Sequence, residues 1–148
     1  MAKSYASTVI NASPDDVWAR IRDFNALPEW TAGAIEKSDL EDGLAADQVG
    51  VVRHLVLGNG EINIRERLVT LSDEERSYTY NFELTPFPVD NYLSTIRVTP
   101  ITDGGGSFVE WWTTFDCNRD EQAHWIGFFA NEVFQGGFNA LKAHFASA

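Results

Sequence analysis

From about Val49 to Cys117 apolar and polar residues alternate with the period of a strand, and after Asn118 the spacing lengthens to that of a helix. The alternation is clearest from Val51 to Leu71, where Asn59-Gly60 separates two strand-like runs. Both turn residues tolerate φ > 0, so the segment reads as a β-hairpin. A two-residue turn there sets Gly58 opposite Glu61, Leu57 opposite Ile62, Leu55 opposite Ile64, and Arg53 opposite Glu66. Because side chains alternate faces, Leu55, Leu57, Ile62, Ile64 and Leu68 share a face with Arg53 and Glu66, while His54, Asn63, Arg65 and Arg67 face the other way. An ion pair on an apolar face is either a buried structural bridge or the polar end of a binding pocket.

The flanking pattern completes the outline. Tyr5, Ser7 and Val9 suggest a strand in Lys3–Asn11. Ser13-Pro14-Asp15-Asp16 then supplies a cap, a proline for the first helical position and acidic residues for the helix dipole. Val17, Ile21 and Phe24 form the apolar stripe of that helix, and Pro28-Glu29-Trp30 starts a second short one. Ala34–Leu40 is a weak strand; Tyr78, Tyr80, Phe82 and Leu84 alternate cleanly, as do Tyr92, Ser94, Ile96 and Val98. Pro86 and Pro88 exclude the intervening Thr85–Val89 from a ladder, which predicts a flap outside the sheet. Phe108–Cys117 closes the strands. Asn118 and Glu121 suggest a capping box, followed by a helix to about His144 with Trp125, Phe129 and Val133 on one stripe and Phe134, Phe138, Leu141 and Phe145 on its neighbour. Gly136-Gly137 inside it costs about 1 kcal/mol per glycine relative to alanine, which calls for a packing or pocket reason.

This order of elements resembles the helix-grip (SRPBCC) superfamily, which includes polyketide cyclase/dehydrase-like proteins, birch-pollen-allergen-like proteins and plant abscisic-acid receptors. The resemblance is carried by Ser13-Pro14-Asp15-Asp16-Val17-Trp18, Gly50-Val51-Val52-Arg53, Glu66-Arg67-Leu68, Asp73-Glu74-Glu75, Asn91-Tyr92-Leu93-Ser94 and the C-terminal helix. It implies an α+β helix-grip fold: a curved antiparallel sheet of about seven strands around a long C-terminal helix, with two short helices after the first strand. It also implies a cavity between sheet and helix, faced by the positions of Glu66, Tyr92, Ser94, Trp111, Phe129, Val133 and Gly137. Strand parity independently turns Glu66, Tyr92 and Ser94 inward. Gly58-Asn59-Gly60 is a tight turn where the plant receptors carry a longer gate loop.

Composition narrows the partners. The 148 residues form one domain, 1–148, with 44% hydrophobic and 13% aromatic residues. A net charge of −11 opposes binding to nucleic acid or an anionic membrane surface. Cys117 is the single cysteine, so no intrachain disulfide forms, and His54, His124 and His144 match no metal-ligand spacing. No cofactor motif is present: Gly104-Gly105-Gly106 joins two strands, and no Gly-x-Ser-x-Gly occurs. There is no run of about eighteen apolar residues and no apolar signal core, so no membrane insertion and a cytoplasmic location are expected. A chain from which a signal peptide had been removed would read the same.

The cavity is therefore expected to take a small hydrophobic or aromatic molecule. Arg53, Glu66, Tyr80 and Tyr92 form its candidate catalytic polar end, and Leu55, Ile64, Phe82, Phe87, Ser94, Trp111, Thr113, Phe129, Val133 and Gly137 its candidate ligand-binding wall. Polyketide cyclase/dehydrase-like chemistry, a non-catalytic carrier of lipids or hydrophobic metabolites, and a chaperone-activator type of partner regulator all remain open, as does the oligomeric state.

Overall fold

The chain enters its first helix where Ser13 makes it do so. The Ser13 hydroxyl accepts a hydrogen bond from the Asp16 backbone N–H at 3.1 Å, Pro14 occupies the first turn, and Asp15 and Asp16 lie near the positive end of the helix dipole. This helix, α1 (Pro14–Ile21), buries Val17, Trp18 and Ile21. The structure, a computed structural model, describes residues 1–146; residues 147–148 of the expected domain lie outside the described residues.

Strand β1 (Ala2–Ile10) precedes α1, and α2 (Leu27–Trp30) follows it. Six further strands run in sequence: β2 (Lys37–Leu40), β3 (Val52–Leu57), β4 (Ile62–Ser72), β5 (Ser77–Leu84), β6 (Asp90–Pro100) and β7 (Ser107–Asp116). They make one antiparallel sheet in the order β1-β7-β6-β5-β4-β3-β2, so β2 to β7 form a meander and β1 closes onto its last strand. The hairpin register is the one the turn dictates, with Arg53 opposite Glu66, Leu55 opposite Ile64 and Leu57 opposite Ile62. Asn59 and Gly60 both have positive φ, as a two-residue hairpin turn requires. Along β4 the pairing with β5 slips twice, between Arg65 and Glu66 and again between Leu68 and Thr70. Such bulges bend a strand and increase its twist, which helps the sheet curve.

The C-terminal helix is not uniform. It opens with a 3-10 turn (Arg119–Glu121), continues as α3 (Gln122–Gly127), widens to a π-helix over Phe128–Phe134, and ends as α4 (Gln135–Ala146). The expected capping box does not form: Asn118 donates to the Glu121 carboxylate at 3.1 Å and caps no backbone N–H, because the tight first turn already bonds the Glu121 N–H to the Asn118 carbonyl. The π segment also corrects the periodicity. Phe129 and Phe134, five residues apart, are both fully buried, followed by Phe138 and Leu141. The two α-period stripes expected from the sequence thus merge into one buried line that crosses from one to the other at the π turn.

That line packs with α1, α2 and the inner face of the sheet into one hydrophobic core. The outer face of the sheet leaves Tyr5, Val9 and Leu93 exposed, and Trp112 half-buried opposite Tyr5 and Thr95. No described helix is long and apolar enough to cross a membrane.

Candidate functional site

Between the curved sheet and the C-terminal helix lies a cavity of about 360 Å³ with a mostly apolar wall. β3 and β4 contribute Leu55, Leu57 and Ile64; β5, β6 and β7 contribute Tyr80, Phe82, Tyr92 and Trp111. The helix presents Phe129, Val133 and Gly137, and Phe87 reaches in from the flap between β5 and β6. Arg53 and Glu66 stand at the polar end.

The pair is deeply enclosed, Arg53 being 1% and Glu66 6% exposed. Nε of Arg53 donates to Oε1 of Glu66 at 2.9 Å, and Nη2 lies 2.8 Å from the same oxygen in the ion pair. Nη1 donates to the Phe24 backbone carbonyl at 2.9 Å. The guanidinium carbon lies 3.8 Å from the centre of the Phe24 ring and 5.0 Å from that of Tyr80, so aromatic rings substitute for water around the cation. Burial acts to lower the Arg53 guanidinium, but the Glu66 charge together with Tyr78 and Tyr80 outweighs it, and the group is raised and stays cationic. Burial pushes the Glu66 carboxyl above the usual carboxylate range, with Arg53 pulling the other way. Because both Arg53 nitrogens converge on Oε1, Oε2 has no hydrogen-bond donor from the described protein, and it is not among the buried, sealed-off atoms.

The tyrosines continue the polar end. Tyr80 accepts a hydrogen bond from the Trp111 indole Nε1 at 3.1 Å. Burial raises both Tyr80 and Tyr92, so they are neutral hydroxyls at physiological pH. Tyr92 stacks on Phe82 with ring centres 3.9 Å apart. The Tyr78 hydroxyl lies beside Arg53 but is buried without a well-formed hydrogen bond.

Twelve of the fourteen expected site residues meet around this cavity: Arg53, Leu55, Ile64, Glu66, Tyr80, Phe82, Phe87, Tyr92, Trp111, Phe129, Val133 and Gly137. Ser94 and Thr113 do not reach its wall. Both face inward and are fully buried, but their hydroxyls donate to the carbonyls of Trp112 and Leu93, at 3.1 and 3.0 Å, and lie against the Tyr92 hydroxyl. With their hydroxyls turned to strand carbonyls, these short side chains leave the wall to the larger Tyr92 and Trp111. The flap does leave the sheet, held by a Phe87 N–H bond to the Thr85 hydroxyl at 3.2 Å. Phe87 itself is wedged among Phe82, Trp125, Phe128 and Phe129.

Sequence reasoning missed the side of the cavity built by α2 and the turn after it: Leu27, Thr31, Ala34 and Ile35. Alternation cannot mark a wall made by a four-residue helix, and only the short helix expected at Pro28-Glu29-Trp30 hinted at it. Phe128, Glu132 and Gly136 were missed because they precede Phe129, Val133 and Gly137 by one position each, at the edge of the stripe, where period alone does not separate wall from exterior. No group of three or more metal-ligating side chains assembles among the described residues, and His54 is bonded to Asn63 on the outer face.

Comparisons with known proteins place this geometry. The family model described as "Polyketide cyclase / dehydrase and lipid transport" matches residues 1–146. No curated protein matches significantly. Among solved structures, the protein XoxI from Bacillus cereus is 39% identical, with 99% of this chain and 96% of that one covered at a TM-score of 0.86. Norcoclaurine synthase from Thalictrum flavum, a point mutant with a transition-state analogue, superposes at a TM-score of 0.76 over 98% of this chain and 94% of its own, at 18% identity. Major latex-like protein 151 from Panax ginseng does so at 0.74 over 97% and 96%, also at 18%. These last two likenesses concern the fold.

Proposed function

The chain belongs to the polyketide cyclase/dehydrase and lipid transport family, and from that premise we propose that its cavity binds a small hydrophobic or aromatic molecule, polar end inward. One observation carries the reading: an apolar chamber of about 360 Å³ terminates in a deeply enclosed Arg53–Glu66 pair. A chamber of this size falls in the range of small-molecule sites, and a few polar groups at one end orient a ligand whose remainder is held by apolar contact.

A second reading is favoured by the free oxygen of Glu66. A carboxylate raised by burial and open on one side accepts a proton from a carbon next to a carbonyl, while a neutral Tyr80 or Tyr92 hydroxyl stabilises the enolate oxygen. In a cyclisation the enolate carbon attacks a second carbonyl and the proton passes to the new alkoxide; in the following dehydration a second α-proton is taken and passed to that hydroxyl as its C–O bond breaks, releasing water and leaving a C=C bond. On this reading the protein is an enzyme, and on the first it is a carrier.

The neutral dye N-phenyl-1-naphthylamine tests occupancy. It is expected to bind with one-to-one saturation and to be displaced by apolar aromatics. Val133→Trp, which fills the chamber from the helix side, is expected to abolish binding while the melting temperature holds or rises. Undiminished binding by a folded Val133→Trp protein would move the site elsewhere. Native mass spectrometry of protein taken from its own host then identifies the retained molecule.

A further inference from the structure

We propose that the cavity selects an uncharged molecule bearing a phenolic, enolic or alcoholic hydroxyl, which donates its proton to Oε2 of Glu66, and that it rejects carboxylates. The inference rests on the reading of the cavity as a ligand site and goes further, to the chemistry of the ligand's polar end.

Donors, acceptors and charges at the polar end decide what it can hold. Arg53 is the one cation on the cavity wall among the described residues. Its Nε–H donates to Glu66 Oε1, Nη2 lies 2.8 Å from the same oxygen in the ion pair, Nη1 donates to the Phe24 carbonyl, and Phe24 covers its face. A ligand carboxylate therefore meets a cation whose charge Glu66 already neutralises. It would bring a second negative charge beside Glu66, where the existing pair is already balanced and water cannot screen the repulsion.

An ammonium group fails for the mirror reason, since it adds uncompensated positive charge next to Arg53. Oε2 of Glu66 is different: it is a charged acceptor with no protein donor. An acceptor removed from water without a donor is unfavourable, so a ligand O–H aimed at Oε2 makes the strongest new contact this end of the chamber offers.

A hydroxyl suits the donors at this end as well. Its oxygen accepts at the same time, and the neighbouring Tyr80 and Tyr92 hydroxyls are protonated donors. An ether or ketone accepts but cannot donate, and so leaves Oε2 bare. Thr31, the other hydroxyl on the wall, already donates to the Leu27 carbonyl at 2.7 Å and accepts from the Ile35 N–H at 3.3 Å. The rim residue Glu132 is exposed and carries the same sign as Glu66, which adds to the exclusion of anions at the mouth.

The test is a matched series on one skeleton, titrated calorimetrically into the full chain at neutral pH: 2-naphthol, 2-methoxynaphthalene and 2-naphthoate. The expected order is naphthol tightest, the methyl ether at least about tenfold weaker, and naphthoate weakest, tenfold corresponding to about 1.4 kcal/mol. Equal affinity of naphthol and its ether, or naphthoate binding as well as naphthol, overturns the inference while leaving an apolar ligand site intact. Failure of all three together with N-phenyl-1-naphthylamine overturns the ligand site itself, and this inference with it. Assignment to Glu66 is read from the Arg53→Met/Glu66→Leu double variant. That protein is expected to bind the dye but to lose its preference for naphthol over the ether, and a preference that persists refutes the assignment. Should the double variant not fold, the wild-type series decides alone.

Discussion

At the scale of single residues, Arg53 and Glu66 are a pair whose removal has opposite consequences depending on how it is done. Taking away one partner leaves a desolvated charge, whereas replacing both with apolar groups removes the desolvation cost as well. Glu66→Gln is expected to destabilise the fold by about 3 kcal/mol in urea denaturation, and Arg53→Met/Glu66→Leu to remain within about 1 kcal/mol of the parent. A double variant as unstable as the single one would show that the pair contributes net stability. The pairing itself was legible in the sequence, because the Asn59-Gly60 turn admits one register and alternation does the rest. The engagement of Arg53 by the Phe24 carbonyl was not, since Phe24 lies 29 residues away and only tertiary packing brings its backbone there.

At the scale of elements, the C-terminal helix and the first helix each carry a prediction. Gly136 and Gly137 look equivalent in the sequence and are not. A methyl at Gly136 meets nothing within 4 Å, whereas one at Gly137 comes to 2.7 Å from Cζ3 of Trp111. Trp111 has little room to yield, being stacked on Phe134 at 4.8 Å with Phe138 at 5.8 Å. Gly136→Ala is expected to stabilise by about 0.5–1 kcal/mol through helix propensity. Gly137→Ala should destabilise by about 1–3 kcal/mol through overpacking and disturb the Trp111–Tyr80 bond. Thermal melts of the two variants separate these outcomes.

Helix α1 is tied to the turn after β4 by Asp73, which accepts from Arg22 at 2.8 and 3.2 Å and from the Trp18 indole at 2.8 Å. The Arg22 bond, then the Trp18 bond, hold the Asp73 carboxyl below its usual range. A depressed carboxyl stabilises the fold above its unfolded pKa, and that contribution disappears as pH falls through the folded one. The difference in melting temperature between the parent and Asp73→Asn is therefore expected near about pH 6 and should vanish toward about pH 2. A constant difference across that range would make the contact a packing effect. Strand order, the two short helices and the long helix were readable from period and punctuation. The π turn was not, because Phe129 and Phe134 fit two α stripes as well as one widened one.

At the scale of the whole molecule, the sheet is closed by its two most distant segments: Ala2 of β1 pairs with Phe115 of β7. Such pairing follows the ordering of most of the chain, since loop closure must precede it. The opposite edge is β2, four residues with half of them exposed. Hydrogen exchange is expected to be fastest in β2 among the strands and slowest in β6 and β7, which lie inside the sheet and carry Ile96, Val98 and Val109 fully buried. Protection in β2 equal to that in β6 would mean that the molecule opens only as a unit.

The bond from the Trp111 indole to Tyr80 gives the protein an optical reporter of its own. Trp111 is one of five tryptophans and the one whose ring lines the chamber, with its N–H held by a hydroxyl at the polar end. Indole emission responds to the polarity and hydrogen bonding around that ring, so a molecule entering the chamber changes the colour and intensity of ultraviolet fluorescence without any attached label. Trp111→Phe, by deleting that change while the other four emitters remain, turns the same side chain into its own control.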